Sequence, residues 1–135
     1  MKVLIYGFGR MGLTHFSILN TINPKIDFKI IEPNKILRYI LKENINAEFF
    51  DDDKTLNTPF DIVLITTPPA LHVKILNKCL KRGDVKIFIE KPFGGHLNLK
   101  INENLSRVVV GYVLRFNPCI QWFKSNFNAN DIKSI

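Results

Sequence analysis

Lys2-Val3-Leu4-Ile5-Tyr6-Gly7-Phe8-Gly9-Arg10-Met11-Gly12 is the stretch on which the fold turns. Its apolar run carries no polar alternation, as expected of a strand covered on both faces, and it stops abruptly at glycine. The glycines that follow stand in the pattern G-x-G-x-x-G. Gly7 suits a tight turn, Gly9 lets backbone approach a pyrophosphate, and Gly12 permits close packing of a helix on the strand. The opening helix offers unpaired N–H groups and a partial positive charge to phosphates. Phe8, Arg10 and Met11 lie within this loop and count with the glycines as cofactor-binding candidates. Such a hexapeptide also occurs as a plain tight turn, so its surroundings have to carry the reading.

Those surroundings agree. Residues 28–31 (Phe-Lys-Ile-Ile) form a second strand ending at Glu32, about 20 residues past the loop. A carboxylate there accepts hydrogen bonds from an adenosine ribose and repels a 2′-phosphate. NAD is therefore favoured over NADP, with Arg10 and Lys35 able to soften the preference. A methyltransferase-like domain also carries a glycine loop and an acid, and at this point it stays open.

The same alternation continues along the chain. Leu13, Phe16, Ile18 and Leu19 suit an amphipathic helix ending near Asn20. Asn34 is an N-cap for a helix with Ile36, Leu37, Ile40 and Leu41 on one face. Residues 47–50 read as a third strand and 62–66 as a fourth. Residues 70–82 form a helix closed by Gly83, placed for a left-handed turn. Residues 85–89 and 107–112 supply two more strands, and Pro118 opens a last helix to about Phe127, with Trp122 and Phe123 available for burial. Repeated β-α-β units predict a doubly wound parallel sheet in three αβα layers.

Composition narrows the classes further. The 135 residues fit one domain, and the net charge of +7 is dispersed, with Lys74, Lys78, Lys81 and Arg82 on one helix among scattered acids. That pattern predicts a solvated face that steers an anionic ligand, with no nucleic-acid partner. No run approaches the roughly 18 apolar residues of a membrane span, and the opening apolar run is too short for a signal segment. Cys79 and Cys119 lack metal-site spacing and read as buried thiols, which fits a reducing, cytoplasmic compartment. Asp51-Asp52-Asp53 is expected to be an exposed turn, and no metal site is expected.

Three further stretches complete the reading: Thr66-Thr67-Pro68-Pro69-Ala70-Leu71-His72, Glu90-Lys91-Pro92, and Gly111-Tyr112-Val113-Leu114-Arg115-Phe116-Asn117-Pro118. Thr66 and Thr67 close the fourth strand at the carboxyl edge, where ligands bind in doubly wound folds. Pro68 and Pro69 withhold two backbone donors and stiffen the loop. His72 is placed either to meet the loop backbone or a ribose hydroxyl, or simply to cap or pack.

Together with the glycine loop, and in this order, these stretches resemble the glucose–fructose oxidoreductase / inositol dehydrogenase (Gfo/Idh/MocA) family over nearly the whole chain. The resemblance implies an NAD(P)-binding Rossmann domain of an oxidoreductase acting on a sugar or sugar nucleotide. It implies that Lys91 lies beside the nicotinamide and the substrate oxygen as acid/base or electrostatic partner. Glu90, Thr66, Thr67, Pro68 and His72 join the cofactor set. Proline 92 is expected to follow a cis bond, as the family's often does. Tyr112 and Arg115 would run near the active site, with Arg115 either holding substrate or pairing with a buried acid. A homo-oligomer is implied as well.

Two departures stand against this pattern. Between Pro92 and Arg107 the family places a full helix, whereas Leu97, Leu99 and Ile101 show strand periodicity or at most a stunted helix, and His96 has no assigned role. The chain is expected to lack the family's C-terminal α+β domain, with residues 1–118 as the dinucleotide-binding domain and 119–135 as a terminal helix and the start of a missing or vestigial second domain. The chain is thus expected to be either a cofactor-binding half with little turnover of its own, or a stand-alone, inactive nucleotide-binding or assembly module.

Overall fold

A computed structural model describes residues 1–93 and 105–127. Six strands form one sheet: β1 (Lys2–Tyr6), β2 (Asp27–Ile31), β3 (Glu48–Phe50), β4 (Ile62–Ile65), β5 (Lys86–Ile89) and β6 (Val108–Val110). They lie in the order β3-β2-β1-β4-β5-β6, and every neighbouring pair is parallel. Helices α1 (Arg10–Ile22), α2 (Lys35–Lys42), α3 (Pro69–Arg82) and α4 (Pro118–Asn126) complete the described elements, with short 3₁₀ turns at Leu105–Arg107 and Val113–Phe116. The expected doubly wound Rossmann architecture is present. The strand order reverses between β1 and β4, so the crevice above these two strands is where such sheets take ligands.

Apolar residues on both faces of β1 explain its unbroken pattern. Leu4 and Tyr6 join a core with Ile75, Leu76, Cys79 and Leu80 of α3. Val3 and Ile5 face the other way, into a core with Phe16 of α1, Phe28 and Phe49. One helical layer thus covers each face. Gly83 ends α3 with φ +86°, and its N–H reaches the carbonyls of Cys79 and Leu80 at 3.2 Å.

Several expectations change. Helix α1 runs on to Ile22 and leaves Leu13 and Ile18 exposed, because only the Phe16 and Leu19 stripe meets the sheet. Likewise α2 turns Leu41 inward and leaves Ile36 and Ile40 in solvent, since the three-residue β3 beneath it offers little surface to cover. Arg107 belongs to a 3₁₀ turn, so β6 is shorter than expected. Cys79 is buried, and burial pushes its thiol up to about 12, but Cys119 is exposed. Trp122 and Phe123 are also exposed. No described helix is long and apolar enough to cross a membrane. His96, the segment through Ile101 and the expected start of a second domain beyond Phe127 lie outside the described residues.

Candidate cofactor site

The three glycines of the β1–α1 loop meet three different constraints. Gly7 has φ +82°, and its N–H donates to the Ile31 carbonyl at 2.8 Å, tying the loop to β2. At Gly12 an added Cβ would stand 2.3 Å from the Gly7 carbonyl oxygen and 3.0 Å from Thr66 Oγ1. At Gly9 an added Cβ would meet nothing within 4 Å, and the backbone (φ −71°, ψ −164°) is one any residue adopts. The protein's own packing therefore does not require glycine at position 9; room above the loop does. No side chain caps α1, and its first turn holds no acid, so the positive end of the helix faces that room.

Phe8 enters the site only through its backbone. Its ring is buried edge-on against Phe16 and Phe49, while its N–H donates to Glu32 Oε2 at 2.9 Å. The other Glu32 oxygen accepts the Asn34 N–H at 3.0 Å. A carboxylate has about four acceptor positions, so each oxygen keeps capacity for a ligand hydroxyl. Arg38, overlooked in the sequence, donates from one guanidinium nitrogen to the carbonyls of Glu32 (2.6 Å) and Pro33 (2.9 Å). Arg10 and Met11 are exposed on the first turn of α1.

A cleft of about 180 Å³ opens beside Gly7, walled by Ile31, Pro33, Thr67 and Leu71. Thr66 Oγ1 donates to the carbonyls of Gly7 (2.7 Å) and Tyr6 (3.0 Å), fastening β4 to the loop. Thr67 Oγ1 is buried with no partner among the described residues, although Thr67 lines the cleft. His72 is turned inward, 1% exposed, and its Nε2 donates to the Thr67 carbonyl at 2.7 Å. Of the placements weighed above, the contact is the one to the loop backbone, and the ring is turned away from the surface.

Glu90 continues the β4–β5 ladder through its N–H to Ile65 (2.9 Å) and is 8% exposed. His15 Nε2 lies 2.8 Å from its Oε1, and Oε2 accepts the Lys91 N–H at 3.2 Å. The Lys91–Pro92 bond is cis and Lys91 is exposed. The Gly12-to-His15 spacing puts His15 one turn along α1, a signal the sequence reading left unused. Tyr112 donates to the Phe93 carbonyl (3.2 Å), with the Arg115 guanidinium 5.8 Å from its ring. Both line an open cleft of about 450 Å³ with Phe116 and Ile120, apart from the glycine loop.

The Asp51–Asp53 turn is more committed than expected. Asp53 accepts from Lys78 (2.6 and 2.9 Å) and from the Tyr6 hydroxyl (2.9 Å). Burial works to raise the Asp53 carboxyl, but those hydrogen bonds outweigh it and hold it below the usual range. Burial lifts the Tyr6 phenol well above its ordinary value. Arg82, expected on a solvated face, instead turns its side chain inward (8% exposed) to pair with fully buried Asp84 at 2.6 Å, a partner the sequence reading did not single out. The described residues contain no metal-binding cluster.

Residues 1–101 match the profile of an oxidoreductase family with an NAD-binding Rossmann fold, GFO_IDH_MocA. No curated protein matches the sequence. Among solved structures, a myo-inositol dehydrogenase from Corynebacterium glutamicum superposes with a TM-score of 0.78 at 24% identity, over 93% of this chain and 41% of that one. The UDP-N-acetylglucosamine 3-dehydrogenase GnnA from Acidithiobacillus ferrooxidans gives 0.68 at 19%, over 96% and 44%. The WlbA dehydrogenase from Bordetella pertussis, in complex with NADH and UDP-GlcNAcA, gives 0.61 at 18%, over 70% and 29%. At such identities the likeness is one of fold, and the chain spans less than half the length of these structures.

Proposed function

The chain belongs to this family of oxidoreductases with an NAD-binding Rossmann fold, and we propose that residues 1–118 are the cofactor half of an enzyme acting on a sugar or sugar nucleotide. The family match displaces the methyltransferase-like alternative. One observation carries the site assignment: the space above Gly9 is open, while Gly12 is packed against the Gly7 carbonyl. A dinucleotide's phosphates fit that space, at the uncapped start of α1. Glu32 takes the adenosine ribose, and the unpartnered Thr67 hydroxyl supplies a further polar contact at the cleft.

When bound, the nicotinamide supplies the hydride donor or acceptor. Lys91 stands beside the reacting oxygen and gives or takes its proton, a role that contributes about 10²–10⁴-fold. Glu90 fixes the Lys91 backbone, while Tyr112 and Arg115 flank the substrate side. The neighbours named for myo-inositol, UDP-N-acetylglucosamine and UDP-GlcNAcA support a polyhydroxylated substrate.

Calorimetry with NADH and NADPH tests this reading. The chain is expected to bind NADH more tightly than NADPH. Replacing Glu32 with Ser removes the charge opposed to a 2′-phosphate and shifts the ratio about tenfold toward NADPH, or about 1.4 kcal/mol. Absence of binding by either nucleotide at millimolar concentration overturns the proposal, and an unchanged ratio in the variant removes Glu32 from it.

A further inference from the structure

The contact between His15 and Glu90 joins two elements that the cofactor reading uses separately. His15 sits on α1, one turn after the glycine loop, and Glu90 ends β5 immediately before Lys91. Because an ionised carboxylate only accepts, the Nε2 atom of His15 carries the proton of the 2.8 Å bond. The same carboxylate accepts the Lys91 N–H with its second oxygen. Glu90 is thus held on one side by a helix and on the other by the peptide that carries the lysine. The His15 ring is itself braced edge-on against Phe88 of β5, with ring centres 5.0 Å apart. Gly111 closes the far side, where an added Cβ would come 2.6 Å from the Phe88 ring.

Resting on the cofactor reading above, we propose that His15 is a positioning residue of the nicotinamide end of the site: it fixes the Glu90 carboxylate, which orients the Glu90–Lys91 peptide against α1. Glu90 is nearly buried, so without His15 its carboxylate must turn outward to find water, and the lysine loop turns with it. The adenosine end is assigned to Gly7, Glu32 and Thr67, whereas the His15 ring is engaged with Glu90 and Phe88.

This division makes the test selective. ADP-ribose carries every group of NADH except the nicotinamide, so the two ligands report on the two ends. In the 135-residue chain, His15→Leu is expected to weaken NADH binding about tenfold, as for loss of a hydrogen bond to a charged group, and to change ADP-ribose binding less than twofold. His15→Gln, whose amide nitrogen can donate from nearly the same place, restores NADH affinity to within about threefold of wild type. Equal losses for both ligands mean that His15 only stabilises the fold, and overturn the proposal. So does unchanged NADH affinity in His15→Leu, or failure of His15→Gln to restore it. If the unaltered chain binds neither ligand, the cofactor reading falls first and takes this one with it.

Discussion

At Gly12 an added Cβ would stand 2.3 Å from a backbone oxygen, whereas at Gly9 it would stand in open space. The two positions therefore separate folding from binding. Gly12→Ala presses on main chain that cannot swing aside, and is expected to cost about 3 kcal/mol in urea unfolding. Gly9→Val is expected to cost no more than about 1 kcal/mol, the effect of a poor N-cap, while abolishing NADH binding. The opposite ranking of stabilities would contradict the packing described here. Asp53 supports a second expectation. Its carboxyl is held below the usual range, so the folded state gains stability above the unfolded value near about 3.9 and loses it as pH falls through the lower folded value. Lys78→Met removes the main hydrogen-bonding partner that lowers it. Acid unfolding curves should then show a shallower loss of stability below about pH 4 in the variant; identical slopes would show that Asp53 does not contribute.

Helix α2 illustrates how weakly an element can be held. It has eight residues, none of them buried, and helices that short are marginal in water. Two local devices keep it in place: Asn34 Oδ1 accepts the N–H groups of Ile36 (3.0 Å) and Leu37 (3.1 Å), and Arg38 clasps the carbonyls of Glu32 and Pro33. Asn34→Ala is expected to lower global stability by about 1 kcal/mol. Amide exchange should speed up across Lys35–Lys42 and stay unchanged in α3, whose inner face is buried. Acceleration spread evenly over both helices would show that α2 does not open on its own. The cap was readable from Asn34 ahead of an apolar run. The helix's inner face was not, because Ile36, Leu37, Ile40 and Leu41 are equally apolar and only the position of β3 selects among them.

Among the described residues, a dense group of exposed apolar side chains follows β6. Phe116 is 70% exposed and Trp122 61%, and Phe123 and Phe127 stack on each other with ring centres 4.7 Å apart rather than against the sheet. Exposed aromatic side chains gathered in one segment favour association. The chain is expected to sediment with a concentration-dependent weight-average mass, and Phe116→Ser combined with Trp122→Ser to shift it toward monomer. A single monomer boundary across the whole concentration range would refute this. Trp122 is the sole tryptophan of the chain, so its emission gives an independent readout of the same equilibrium.

The β-α-β alternation, the tight turn at Gly7, the Asn34 cap and the Gly83 turn were legible in the residues, because each shows in local periodicity or in backbone freedom at one position. The polar pairings were not. His15 meets Glu90 across 75 positions, Tyr6 meets Asp53 across 47, and Arg82 reaches Tyr6 across 76. No periodicity links such residues; their meeting depends on where the crossovers set each helix on the sheet. The same holds for burial. Cys79 and Cys119 carry the same thiol, yet one is enclosed beneath α3 and the other faces solvent on α4, because burial belongs to the surface an element lands on rather than to the side chain.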